Sequence, residues 1–148
     1  MGTLVAQGVV YYVPTDTDEL LVSTMAGRGK ARVACRDGKV SLCVLDERWP
    51  FAYLQVYADA VVDQNRDLAV DVMMAVGERM SGQPIGEGAR PFVEAKAAEE
   101  HRVVIRCRPY ATFAQPPRHL HRNDQKEAIT HWLSGTVPWD APDPARAR

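Results

Sequence analysis

The hydrophobic positions of this chain follow two periods, one typical of strands and one typical of helices. Apolar and polar residues alternate over Tyr53–Val62, with Leu54, Val56, Ala58 and Ala60 on one face, and this alternation predicts a half-buried strand. Apolar residues at helical spacing predict a helix over Arg66–Met80 that ends at Ser81-Gly82. The same criteria predict strands over Leu4–Val13, Leu20–Thr24, Lys39–Leu45 (apolar enough to be buried) and Arg102–Phe113, and short helices over Lys30–Arg36 and Phe92–Glu100.

The order of these elements indicates the fold class. Turn-forming residues over Pro14–Asp18 separate two short strands, which predicts an antiparallel hairpin. Strands in consecutive hairpins with few helices favour a mainly β (α+β) fold. Its expected architecture is a small antiparallel barrel with short flanking helices. We expect one domain over residues 1–135 and a flexible tail over 136–148, because the proline- and arginine-rich end cannot bury a core.

Composition narrows the class of protein. The net charge of -1 argues against a dedicated nucleic-acid binder, which usually carries an excess of basic residues. No apolar stretch reaches the roughly 20 residues of a membrane span, and no secretory signal opens the chain, so we expect a cytoplasmic protein. Three cysteines at unrelated spacings predict neither a disulfide framework nor a zinc site.

The segment from Leu20 to Arg32 carries the strongest chemical signal. A predicted strand ends in two hydroxyl residues, a loop with two glycines follows, and a predicted helix begins near Lys30. Hydroxyls, loop amides and cations at a helix N-terminus suit a phosphate. The glycine spacing matches neither a P-loop nor a dinucleotide-binding fingerprint. From the residues alone, a polar loop with solvated cations stays the alternative.

Other candidate chemistry is weaker. His119 and His121 have no third ligand at a metal-binding spacing, so we expect no metal site. We find no nucleophile motif with an associated base, and the catalytic residues are therefore unknown. If the protein is an enzyme, a cofactor must supply the chemistry.

Three segments together resemble the pyridoxamine 5′-phosphate oxidase-like family of FMN-binding split barrels, and most closely its branch that uses the deazaflavin coenzyme F-420. They are residues 19–32 (ELLVSTMAGRGKAR), 36–46 (RDGKVSLCVLD) and 53–60 (YLQVYADA). The resemblance runs from about Val9 to Phe113. It implies a six-stranded split β-barrel that forms a homodimer, with cofactor sites in clefts between the subunits. Family members begin with a helix and a first strand, whereas eight residues precede Val9 here, so we expect these two elements to be missing.

The resemblance also implies roles for individual residues. Ser23, Thr24 and Met25 would line the flavin ring or its ribityl chain. Arg28, Gly29 and Lys30 would hold the phosphate, with Arg32 as a further cation. The residues implied to line the cleft are Val10, Tyr12, Trp49, Tyr53 and Gln55.

The function implied is that of an oxidoreductase that uses F-420, or alternatively FMN, to transfer hydride to or from a small organic substrate. Because the cofactor supplies the hydride, no protein nucleophile is needed. The second hypothesis is a binding or storage protein for a flavin, a deazaflavin or haem. Multiple-turnover reduction of an acceptor separates the two.

Overall fold

In a computed structural model of the protein, which describes residues 10–45, 53–115 and 136–140, strands and helices alternate along the chain. Their bounds in chain order are β1 (Val13–Pro14), β2 (Leu20–Met25), α1 (Gly29–Asp37), β3 (Lys39–Leu45), β4 (Tyr53–Asp63), α2 (Arg66–Ser81), a 3-10 turn (Glu87–Ala89), α3 (Arg90–Glu99), β5 (Arg102–Gln115) and β6 (Val137–Pro138). The chain divides into two compact units, Met1–Lys39 with Ala60–Arg108, and Val40–Asp59 with Pro109–Arg148.

The strands form one antiparallel sheet whose main path runs β1-β2-β5-β4-β3 in the described residues, and β6 pairs with β5 off this path. The expected six-stranded barrel is therefore wrong in its strand count, because the path has five strands. Mainly β structure with helices, an α+β fold, is confirmed. Residues 137 and 138, which form β6, pair with β5. They lie in the segment for which the sequence predicts a flexible tail.

Helices α1 and α2 end where the sequence predicts. Gly38 and Gly82 follow them with φ angles of 62° and 66°, the left-handed conformation that closes a helix and that glycine adopts most easily. At the start of α2, the Asn65 side chain accepts a hydrogen bond from the amide of Leu68 at 3.1 Å. α3 begins at Arg90, two residues earlier than predicted, with a proline in its first turn.

In the first unit, α2 separates two hydrophobic clusters. Facing the sheet, Ala69 and Val72 pack with Leu21 of β2 and Val104 of β5. On another side of the helix, Val70 and Met74 pack with Ala97 of α3. The helix is thus held against both the sheet and α3, which fixes the position of the residues along its remaining face.

An ion cluster around one buried carboxylate stabilises the same unit. The Glu19 carboxylate, 8% exposed, accepts from Arg106 at 2.5 Å and from Arg108 at 3.3 Å, and Asp63 lies 3.4 Å from Arg106. The hydrogen bond from Arg106 lowers the pKa of Glu19, which outweighs the opposing effect of burial. Cys107, next to this cluster in sequence, is buried, and burial raises its pKa to about 11.

In the second unit, β3 and the first half of β4 carry the alternation of their sequences. The even positions of β3, from Val40 to Val44, are half-buried, and its odd positions are exposed, including Leu45. The prediction that β3 is largely buried is therefore wrong. In β4, the predicted inward face is confirmed, since Val56 and Ala58 are fully buried.

The predicted first strand is much shorter in the structure. β1 contains only Val13 and Pro14, paired with Leu21 and Leu20, and residues 10–12 are not part of a strand. Residues 4–9, the other part of the predicted strand, lie outside the described residues. So do three residues considered above, Trp49, His119 and His121.

Candidate functional site

The end of β2 and the start of α1 are joined by a tight turn that carries the predicted phosphate-binding segment. The amide of Arg28 donates to the carbonyl of Met25 at 3.0 Å, and Arg28 is the extended residue just before the helix. The Arg28 guanidinium also folds back on this turn, with Nε 3.4 Å from the Met25 sulfur. The turn therefore places Arg28 and Lys30 directly beside the last residues of the strand.

Pairing between β2 and β5 brings a distant segment to the same place. Met25 lies opposite Arg102, and the amide of Ala26 donates to the carbonyl of His101 at 2.9 Å. His101 has a φ of 48°, so the chain turns sharply there as it passes from α3 into β5. Arg102 consequently joins the residues of the β2–α1 turn, although it is far from them in sequence.

These elements surround a cavity of about 450 Å³, a size typical of small-molecule sites. All of its lining residues belong to the first unit. They are Val10, Tyr11, Ser23, Thr24, Met25, Arg28, Lys30, Met73, Val76, Gly77, Met80, Glu100 and Arg102.

One side of the cavity is cationic. Partial burial lowers the pKa of the Lys30 ammonium, and the charges of Arg28 and Arg102 lower it further. No carboxylate of the described residues forms an ion pair with Lys30. Arg102 is paired with Glu100 at 2.6 Å, and an anion bound here would offset the remaining repulsion that Lys30 experiences from Arg28 and Arg102.

Ser23 supplies an unsatisfied polar atom beside these cations. Its Oγ is buried and has no hydrogen-bond partner in the described part of the chain. Neighbouring Thr24 is buried as well, at 3% exposure. A buried hydroxyl without a partner costs stability, so its retention at a cavity wall indicates a polar ligand group.

Backbone amides at the start of α1 add to the same side. The amides of Ala31 and Arg32 donate to the Arg28 carbonyl at 3.1 and 3.2 Å, and no hydrogen bond from the amides of Gly29 and Lys30 occurs within the described residues. No acidic residue occupies the first turn of the helix. The helix dipole and these free donors both favour a negative group at this end.

The apolar part of the cavity lining comes mainly from one face of α2. Met73, Val76, Gly77 and Met80 occupy positions i, i+3, i+4 and i+7, so they form a single stripe along the helix. Met80 is 64% exposed although it is a large hydrophobic residue. The cavity therefore suits a ligand with an anionic end and an apolar body.

The structure brings together half of the residues that the sequence singles out, six of twelve. Val10, Ser23, Thr24, Met25, Arg28 and Lys30 all line the cavity. Gly29 is the first residue of α1 and Arg32 is exposed one turn later; neither is in the lining, and neither is the half-buried Tyr12.

Tyr53 and Gln55, which the sequence also singles out, belong to the second unit and are not among the lining residues. The rings of Tyr53 and Phe113 lie 6.3 Å apart, and the Gln55 amide donates to the Ser41 hydroxyl. Sequence reasoning missed the other lining residues, which are Tyr11, Met73, Val76, Gly77, Met80, Glu100 and Arg102. Arg102 reaches the site through the pairing of β5 with β2, and the sequence does not show which strands pair.

The chain matches no known family model, and no curated protein resembles it significantly in sequence. Among solved structures, it is similar to Rv2991, a conserved hypothetical protein of Mycobacterium tuberculosis, with a TM-score of 0.61 at 23% identity over 76% of this chain and 69% of the other. It is also similar to an F420 reductase, with a TM-score of 0.49 at 20% identity over 70% and 74% of the two chains; this second likeness is too weak to bear on activity. In the described residues, no helix is long and apolar enough to span a membrane. The chain shares the fold of Rv2991.

Proposed function

We propose that this protein binds a flavin-type cofactor in the cavity beside β2 and acts as an oxidoreductase, with coenzyme F-420 favoured and FMN as the alternative. One observation supports this most directly: the lining of a single cavity combines three cations, of which Arg102 is paired with Glu100, and an unsatisfied buried hydroxyl with an apolar stripe of α2. A phosphorylated cofactor with an aromatic ring system has the same division between an anionic and an apolar part. The resemblance of residues 19–60 to the deazaflavin branch of the split-barrel family favours F-420.

The residues present fit such a group. The phosphate would lie against Arg28, Lys30 and the amides of Gly29 and Lys30, which donate to no acceptor within the described ranges, and charge-assisted hydrogen bonds would hold it there. Ser23 Oγ would gain a partner on the ribityl chain or the ring, which removes the cost of its burial. When bound, the cofactor supplies hydride transfer.

The chain's own residues would bind the cofactor, orient it and shield it from water. The α2 stripe of Met73, Val76 and Met80 offers an apolar surface for the ring, and its burial would exclude water from that face. Thioether side chains are adaptable and contact aromatic rings favourably. Because Met80 is 64% exposed without a ligand, it has the most surface to bury on binding.

The proposal is tested by titrating the purified protein with F-420, FMN and riboflavin, following fluorescence. The two phosphorylated ligands should bind at least about tenfold more tightly than riboflavin, because hydrogen bonds to charged groups contribute roughly 1.5–3 kcal/mol. Equal affinities for FMN and riboflavin would contradict a phosphate site. Tighter binding of F-420 than of FMN identifies the cofactor.

The same loaded protein separates an enzyme from a storage protein. An enzyme should oxidise reduced cofactor over many turnovers with menadione as acceptor, faster than a control without protein. A storage protein would bind the cofactor with no such acceleration.

We also propose a homodimer. β3 ends the strand path of the described residues, and its Leu45 is 57% exposed, features that pairing with a second copy would cover. Light scattering at micromolar concentration should give twice the 16.4 kDa mass of one chain. A mass of one chain at all concentrations would exclude the dimer.

A further inference from the structure

Arg102 enters the cavity in a state of partial pairing. Its Nε donates to Glu100 Oε2 at 2.6 Å, and its two Nη groups have no hydrogen-bond partner among the described residues. Its side chain is 27% exposed and lines the cavity, so these donors are accessible to a ligand that enters it. A guanidinium held through Nε keeps its Nη fork for a second, planar partner, which is the geometry that oxyanions fill.

Glu100 is itself fixed from the other side. Its Oε1 lies 3.3 Å from the Lys96 ammonium, one turn earlier on α3, and its side chain is 17% exposed. Each carboxylate oxygen thus serves a different cation. The Arg102 and Lys96 contacts both lower the pKa of Glu100, so the carboxylate stays charged at neutral pH.

The charges around Glu100 balance. Lys96 and Arg102 both contact Glu100, and Lys96 also pairs with Glu99 at 3.1 Å, so two cations face two carboxylates. The excess positive charge of the cavity lining comes from Arg28 and Lys30, which form no ion pair with a carboxylate of the described residues. Arg102 is close enough to Lys30 to lower its pKa. The turn after β2, helix α1 and strand β5 therefore bring the three cations Arg28, Lys30 and Arg102 to one cavity.

We propose that Arg102 is a third oxyanion-binding side chain of this cavity and that Glu100 is its positioning residue. The ligand group is a phosphate, held by the Arg102 Nη fork together with Lys30 and Arg28. The proposal rests on the proposed function for the identity of the whole ligand, but it concerns the anion alone. Glu100 acts through Arg102: its carboxylate orients the guanidinium, although its own negative charge repels the ligand.

The test uses inorganic phosphate as the probe and follows the amide resonances of Gly29 and Lys30 in isotope-labelled protein. Arg102→Gln should weaken phosphate binding about tenfold or more, the loss expected for a charge-assisted contact. Arg102→Lys, which keeps the charge without the fork, should recover only part of it. Arg79→Gln removes an exposed cation of α2 outside the cavity lining and should change nothing.

Glu100 variants separate positioning from simple charge. Glu100→Gln keeps an oxygen that can accept from Arg102 Nε and removes the repulsive charge, so phosphate should bind as tightly as to the wild type or more tightly. Glu100→Ala releases the guanidinium and should bind phosphate more weakly than Glu100→Gln. Equal or tighter binding by Glu100→Ala would show that Glu100 merely competes with the ligand and would overturn its positioning role.

The remaining outcomes distinguish this inference from the proposed function. If the wild type binds no phosphate, or Arg102→Gln and Arg102→Lys both bind it as the wild type does, the assignment of Arg102 is wrong, even if FMN binds more tightly than riboflavin. If phosphate binding depends on Arg102 but FMN and riboflavin bind equally, the anion site stands and the flavin function fails. Urea midpoints of every variant confirm that each one folds.

Discussion

Replacing both Arg28 and Lys30 with alanine should weaken FMN binding by roughly 2–4 kcal/mol, because two charge-assisted contacts to the phosphate are lost. Both residues line the cavity, and no carboxylate of the described chain pairs with Lys30. Riboflavin, which has no phosphate, should lose much less affinity. Parallel titrations of the double variant with the two ligands measure the difference.

The control for this experiment is a second double variant, Arg66→Ala with Arg79→Ala. It removes the same net charge from exposed positions of α2 that do not line the cavity. Its FMN affinity should stay close to that of the wild type in moderate salt. If the Arg28/Lys30 variant loses both ligands equally, these cations support folding and not phosphate binding.

Replacing Arg106 with methionine should destabilise the folded protein by about 2 kcal/mol at pH 7. The substitution leaves the buried Glu19 carboxylate with only its longer contact to Arg108. Because Arg106 is 42% exposed, solvent screening keeps the loss below the value for a fully buried pair. Urea unfolding measures it, with Arg79→Met as the matched arginine control.

The loss should shrink in acid. The pKa of Glu19 is lowered in the folded wild type, so the stability it contributes is present above the unfolded pKa and disappears as pH falls through the folded pKa. In the variant, burial without Arg106 favours the protonated acid, so the variant gains stability relative to the wild type as pH falls. A stability difference that stays constant from pH 7 down to pH 3 would show that the ion pair contributes nothing.

Helices α1 and α2 could be predicted from sequence because their signals are local. Each shows a stretch of residues suited to a helix and then a glycine at the left-handed position that ends it, Gly38 and Gly82. The β2–α1 turn was predictable for the same reason. Its hydroxyls and cations are close together in the chain, so their meeting at one cavity requires no knowledge of the rest of the fold.

The errors arose where a residue's environment depends on distant partners. Val10–Tyr12 has strand-forming residues, yet Val10 and Tyr11 line the cavity and do not pair with β2. β3 has an apolar composition, which predicts a buried strand. Composition does not show how much of each face is covered, and in the structure exposure alternates along the strand. Arg102 and Glu100 become part of the site only through the pairing of Met25 with Arg102.

The ladder between β2 and β5 has a consequence for how this sequence can change over time. Residues 20–25 pair one for one with residues 107–102, and a shift of a single position would turn Arg102 to the other face of the sheet. An insertion or deletion within either six-residue stretch should therefore abolish the site. The long connection that carries α2 and α3 has a loop at residues 82–86 that is open to length variation. Lineages of this chain should thus differ in length between the helices while keeping both strands at constant length.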